Sequence, residues 1–187
     1  MNRFLDTIIQ KSSWKKAVIF TALFLAAFIT INFSSIGVAG LLEITGGPSI
    51  LDFEVGYTQE EAYDMLTALG PEGRAFYLTK GMPLDFPFPV SYMLCYVALM
   101  ALLIKHTAPK KWCKYLLFMP VLAMLFDFTE NIGIIVMLNS YPNLPAWAVS
   151  LASTFGILKF TFSGGSMAVI AVFFGFYIYS VMRGKRA

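Results

Sequence analysis

Apolar residues gather into four long runs, at about 17–38, 86–104, 115–138 and 147–182. A helix crosses a ~30 Å hydrocarbon core with about 20 residues, and each run is long enough. Only helices and closed barrels cross lipid with every backbone group paired, and these runs lack the two-residue alternation of barrel strands. The pattern predicts an all-α integral membrane four-helix bundle, with residues 1–187 forming a single transmembrane domain. The fourth run is overlong, so its start is expected to bend, tilt or extend past the lipid. The first run, with its basic lead and a Val38-Ala39-Gly40 triplet, has some features of a signal peptide. Its length exceeds the 7–15 residues of a typical signal core, which favours an uncleaved helix. Phe4, Leu5, Ile8 and Ile9 ahead of it suit a short interfacial helix.

The stretch between the first and second runs, about 39–85, has a different texture. Thr58-Gln59-Glu60-Glu61 has the spacing of a capping box, in which Thr58 and Glu61 serve each other's backbone amides. Ala62, Met65, Leu66 and Leu69 then form an apolar stripe that Gly70-Pro71 ends. A further short helical piece is expected over 72–79, and Gly46-Gly47-Pro48 marks a turn. Phe53, Tyr57, Tyr63, Phe76, Tyr77 and Leu78 give the stretch too much apolar surface for a disordered linker. It reads as a folded helical cap. No internal repeat is evident.

Composition explains why the runs must be membrane spans. Hydrophobic residues make up 58% of the chain, aromatic residues 16% and charged residues 13%, with a mean hydropathy of +0.69. Soluble domains carry about 25% charged residues, so this chain lacks the polar surface of an ordinary cytosolic enzyme or nucleic-acid binder. Charge placement then sets the orientation. Eleven of the 14 basic residues, Arg3, Lys11, Lys15, Lys16, Lys105, Lys110, Lys111, Lys114, Arg183, Lys185 and Arg186, fall on one side of the spans. The positive-inside rule assigns that side, with both termini, to the cytoplasm of an inner (plasma) membrane protein. The acidic cap, with Glu43, Asp52, Glu54, Glu60, Glu61, Asp64, Glu72 and Asp85, is then extracytoplasmic. Lysines in the short second loop carry topology information, and no nucleic-acid partner is expected. Cys95 and Cys113 form no CxxC pair, and His106 is the single histidine, so neither thiol–disulfide chemistry nor a zinc or haem centre fits. His106 suits a solvated helix end, and Cys95 a packing thiol.

Polar residues are costly in lipid, which makes the few within the spans the candidates for function. Phe126-Asp127-Phe128-Thr129-Glu130-Asn131 places Asp127, Glu130 and Asn131 at i, i+3 and i+4, on one face of the third helix. Pro120 upstream is expected to kink that helix. At 1.5 Å per residue, Asp127 and Tyr92 lie ~20 Å from the inner edge, and Glu130 and Asn32 ~24 Å. Lys159, on the fourth helix, can reach the same outer half and is the expected counter-charge for both carboxylates. Ala152-x-x-x-Gly156 would let the third and fourth helices approach closely enough.

Three readings of this cluster compete. The first is an inert ion-pair network that fixes helix register. The second is a site for a small amphipathic or lipid-like molecule, with acid–base chemistry by Asp127 or Glu130, Lys159 as electrostatic stabiliser, and Tyr92, Asn131 and Asn32 contacting the substrate. The third is a proton- or cation-coupled transporter subunit, for which four helices imply a homo-oligomer. Two carboxylates against one ammonium leave an unmatched group, which favours the second reading over a pure staple. Arg74 either pairs with local carboxylates or meets an anionic head group. Asp85 either caps the second helix or lines the mouth of the site. No cofactor is expected, and oxygen ligands for a divalent cation beyond Asn131 are not obvious.

Leu51-Asp52, Gly56-Tyr57-Thr58, Gly73-Arg74-x-x-Tyr77, Asp85 with Pro89 and Tyr92, and Asp127-x-x-Glu130-Asn131 together resemble small four-span bacterial integral membrane proteins. The resemblance runs from Leu51 onward. It implies the four-span fold and no particular activity. Vitamin K epoxide reductase-like bundles are excluded by the missing CxxC.

Overall fold

A computed structural model describes residues 2–47, 50–107 and 110–184. Pro48 of the expected turn, and Lys185 and Arg186 of the basic tail, lie outside the described residues. Those residues form helices with no strand among them. In chain order the helices are α1 Asn2–Gln10, α2 Trp14–Phe33, α3 Val38–Thr45, α4 Gln59–Ala68, α5 Gly70–Phe76, α6 Met82–Asp85, α7 Pro87–Thr107, α8 Phe118–Ser140 and α9 Ala146–Met182. Short 3-10 turns cover Leu51–Phe53 and Lys111–Leu117, and a π turn covers Tyr77–Gly81. Four helical segments are long and apolar enough to cross a membrane: Trp14–Thr45, Gly70–Thr107, Lys111–Ser140 and Ala146–Met182. Their properties are compatible with a multi-pass membrane protein.

The local signals act where the sequence puts them. Thr58 accepts from the Glu61 amide while Glu61 accepts from the Thr58 amide, so both halves of the capping box are made. Gly70, at φ +65°, turns the chain out of α4, and Pro71 opens α5, where a missing N–H costs nothing. From α5 the chain passes through the π turn and α6 into α7 almost without a break. Pro120 does not kink α8: the helix begins at Phe118, so the proline sits in the first turn, where its amide would be unpaired anyway. α9 is one uninterrupted helix of 37 residues.

Packing divides the molecule into three layers. At one end the cap (α3 to α6) buries Leu41, Leu51, Leu66, Leu69 and Tyr77 against Ile134, Met137, Ala148 and Ala152 of α8 and α9. At the other end Leu5 of α1 packs with Met100, Ala101, Leu103, Leu117 and Phe173. Lys105 fixes α1 there by donating to the Gln10 and Ser12 carbonyls at 3.1 and 3.0 Å. His106 is wedged between the rings of Trp14 and Tyr177. Between the two apolar cores lies a layer of buried polar side chains.

The helices are unequally embedded. α8 and α9 share the most extensive contact. A Cβ on Gly133 would lie 2.8 Å from Ala152 Cβ and 2.9 Å from the Ala148 carbonyl, so this crossing depends on small residues from both helices. α2 leans on α7 and α3 and barely meets α9. Ala17 is its one buried residue. Trp14 against Tyr177 closes the base of the gap between α2 and α9.

Candidate functional site

α8 presents Asp127, Glu130 and Asn131 on one inward face, as their spacing predicts, with exposures of 3%, 0% and 0%. Glu130 fits against α9 only because residue 156 is glycine: a Cβ there would lie 2.7 Å from Glu130 Oε1. Three residues along the same face of α9, Lys159 places its Nζ 2.6 Å from Glu130 Oε2. The ammonium also donates to the Asp52 carbonyl at 3.2 Å, which ties the cap to the spans. The cap meets α9 a second time where the Tyr57 amide donates to Ser153 Oγ at 2.9 Å.

Lys159 is the expected counter-charge for both carboxylates of α8; among the described residues it makes a direct ion pair with Glu130, and Asp127 lies within reach of its charge without a direct contact. Asp127 instead accepts a hydrogen bond from the Tyr92 hydroxyl at 3.1 Å on Oδ2, while its Oδ1 is buried with no partner. Asp52 repeats the arrangement. Tyr77 donates to its Oδ2, and its Oδ1 is buried and unpartnered. Asp85 is the third member, with a side chain near Asn131. The Asn131 carboxamide, fully enclosed, makes no hydrogen bond of ordinary geometry.

Asp52, Asp85, Asp127 and Lys159 line one end of a cavity of about 370 Å³. The remaining walls are largely apolar and rich in aromatic rings: Phe24 and Phe28 from α2, Phe88, Tyr92 and Tyr96 from α7, Phe160 from α9, and Phe53 and Phe76 from the cap. Ring contacts of 5.7–6.1 Å join Phe24, Phe88, Tyr92 and Tyr96 into a continuous aromatic surface. The cavity is partly open, and it lies between α2 and α9, the two long helices that scarcely touch.

The other sequence candidates are distributed as follows. Asn32 lines the cavity, but its amide donates to the Phe28 carbonyl of its own helix at 2.9 Å. Arg74 is absent from the lining. Its guanidinium donates to the Leu66 carbonyl at 2.7 Å and lies 3.8 Å from the centre of the Tyr141 ring, fastening the cap. Asp85 does not cap α7: it is itself helical, because α6 runs on into α7 and leaves no free helix start. It faces the cavity instead. Glu130 and Asn131 sit behind the cavity wall.

Sequence reasoning missed Asp52 and Tyr77 as site residues. From the sequence, Asp52 falls among the acidic residues of the folded cap with no part in the site, yet Leu51 beside it is 1% exposed and Asp52 only 9%. The available signal was the apolar frame Ile50-Leu51-Asp52-Phe53. The π turn that begins at Tyr77 shifts the helix register, so that Tyr77 and Asp85 face the same space. Such turns are enriched at functional sites.

Burial pushes the Asp52 carboxyl above its ordinary range, with the nearby Lys159 charge and the Tyr77 hydrogen bond pulling the other way. Burying several carboxyls beside one ammonium is tolerable only where protons or another cation meet the surplus charge. Among the described residues no three His, Cys, Asp or Glu side chains converge on a point that would hold a metal ion. The arrangement can therefore hold and orient an amphipathic molecule, and its carboxyls can exchange protons with it. No protein-family model matches the chain, and neither a curated protein nor a solved structure matches it.

Proposed function

We propose that this protein is a multi-pass membrane protein, with both termini cytoplasmic and the cap outside. It binds a small amphipathic, lipid-like molecule in the cleft between α2 and α9. The observation that carries this reading is the cavity itself: an aromatic enclosure of about 370 Å³ ending in Asp52, Asp85, Asp127 and Lys159. This size lies at the lower end of the ~300–1,000 Å³ range of small-molecule sites. An inert ion-pair staple accounts for Glu130 and Lys159. It does not account for two cavity-lining carboxylates, Asp52 and Asp127, that each keep one buried oxygen without a partner. The ligand's apolar body lies along Phe24, Phe28 and Phe160, and its polar end meets the carboxyls. There Asp127, oriented by Tyr92, is the acid–base group, and Lys159 stabilises developing negative charge.

The test replaces Asp127, Glu130 and Lys159 together with apolar residues of similar volume: Asp127→Leu, Glu130→Met and Lys159→Met. Wild-type and variant proteins are purified from the same host membrane, and the retained lipids are identified by mass spectrometry. The expected result is a discrete amphipathic species held by wild type and absent from a folded variant. Equal retention by both would assign the cluster a purely structural role.

A further inference from the structure

We infer that the ligand's polar end is a cation, an aliphatic ammonium without phosphate. This inference rests on the binding reading above and specifies its substrate class. Lys159, the one cation lining the cavity, contacts Glu130 Oε2 at 2.6 Å and donates to the Asp52 carbonyl. The carboxyls of Asp52, Asp85 and Asp127, which line the cavity, therefore share that single cation with Glu130, and none of them forms an ion pair of its own among the described residues. Asp52 and Asp127 share one design. A tyrosine hydroxyl holds one oxygen of each, and the second oxygen is buried without a partner. Asp127 is 3% exposed and Asp52 9%, so water does not solvate those oxygens freely.

Two oriented acceptors in an enclosed site call for a donor-rich, positively charged group, which a primary ammonium with three N–H bonds supplies. The walls agree, because the faces of aromatic rings such as Phe88 and Tyr92 attract cations. A bare metal ion does not suit the site, since the acidic side chains do not converge on one point. A head group carrying phosphate would bring anionic oxygens against three carboxyls, which is repulsive at short range. The apolar remainder of the cavity takes the alkyl or ring body attached to the amine.

The experiment measures binding to the full-length protein in phosphatidylcholine nanodiscs by thermal unfolding across ligand concentration, which converts to Kd. The probes are dodecylamine, dodecanol and dodecanoate, equal in chain and different in charge. Dodecylamine is expected to bind about tenfold more tightly than dodecanol, the scale of one charge-assisted hydrogen bond, and dodecanoate is expected not to bind. In Asp52→Asn/Asp127→Asn the preference for the amine over the alcohol is lost. Ser163→Phe, which fills the cleft, abolishes binding of every probe and shows that binding is not simple partition into lipid.

Equal affinity for amine and alcohol, or preference for dodecanoate, overturns the cation assignment and leaves amphipath binding standing. Failure of all three probes to bind overturns the binding reading itself. Adding phosphatidylethanolamine to the nanodisc separates a lipid amine from a free one: if it displaces dodecylamine, the phosphate-free assignment falls. Should the double variant not fold, the three probes on wild type still decide.

Discussion

Two lysine–carboxylate pairs at different depths of this molecule share one chemistry and face opposite surroundings. Lys114, its side chain 16% exposed, meets Asp6 at 2.9 Å on the solvent-facing side, where Asp6 is 49% exposed, and clips α1 to the 3-10 turn before α8. Lys159 meets Glu130 at 2.6 Å with the carboxylate fully enclosed. Exposed pairs are solvated in either state, so little depends on their contact. Enclosed pairs have left water, and each partner depends on the other for stabilisation. What differs is the surroundings. The difference also bears on function: the wet pair joins two segments, while the enclosed pair occupies the only cation beside the cavity's carboxyls among the described residues.

The sharpest way to break this comparison is to remove one partner at each depth. Lys159→Met leaves the enclosed Glu130 without its cation and is expected to cost about 3–5 kcal/mol, read from denaturant unfolding in detergent micelles. Adding Glu130→Met should recover most of that loss, which a pair of strong net stabilising value would not allow. Gly156→Ala drives a methyl into Glu130 Oε1 and is expected to cost about 1–3 kcal/mol by the same measurement.

Smaller effects separate two carboxyls of the cap, those of Asp52 and Glu61, by pH. The Asp52 pKa is raised in the folded state, mainly by burial. Ionisation is thus penalised, and wild type should lose stability relative to Asp52→Asn as pH rises through that raised value. The Glu61 pKa is lowered, first by the Thr58 backbone amide and then by its hydroxyl. Its contribution is present above the unfolded value and disappears as pH falls through the folded one, so Glu61→Gln and wild type should converge in acid. Unfolding midpoints measured across pH check both slopes. The smallest effect belongs to the wet pair: Asp6→Asn should cost less than about 1 kcal/mol, and raising salt should erase even that.

How much of this was legible in the sequence depends on which physical signal each feature leaves. The spans are written as runs of apolar residues, and only helix ends moved: 17–38 became α2 at Trp14–Phe33, and 115–138 gave up its start to a 3-10 turn. The inward face of α8 was legible because three polar residues at helical spacing stand out in an apolar run. The Ala152–Gly156 spacing announced the close crossing with α9. Asp52 and Tyr77 were not legible in the same way. Both lie in the cap, where polar residues are common and burial follows from how the cap folds onto α8 and α9. The π turn left no periodic trace. The contacts of Arg74 were not legible either, because an arginine among carboxylates suggests a charge partner, while the fold gives it a carbonyl and an aromatic ring.

Gly156 and Glu130 occupy one shared volume on facing helices. Neither residue can change without consequences for the other, so the two positions form a single heritable unit. A lineage that shortens the carboxylate, as in Glu130→Asp, vacates the atoms that forbid a methyl on α9 and admits Gly156→Ala. One that keeps Glu130 gains from keeping the glycine, because a methyl at 156 has to push the carboxylate aside. Covariation between residues 130 and 156 is therefore the trace this contact should leave among descendants of the chain.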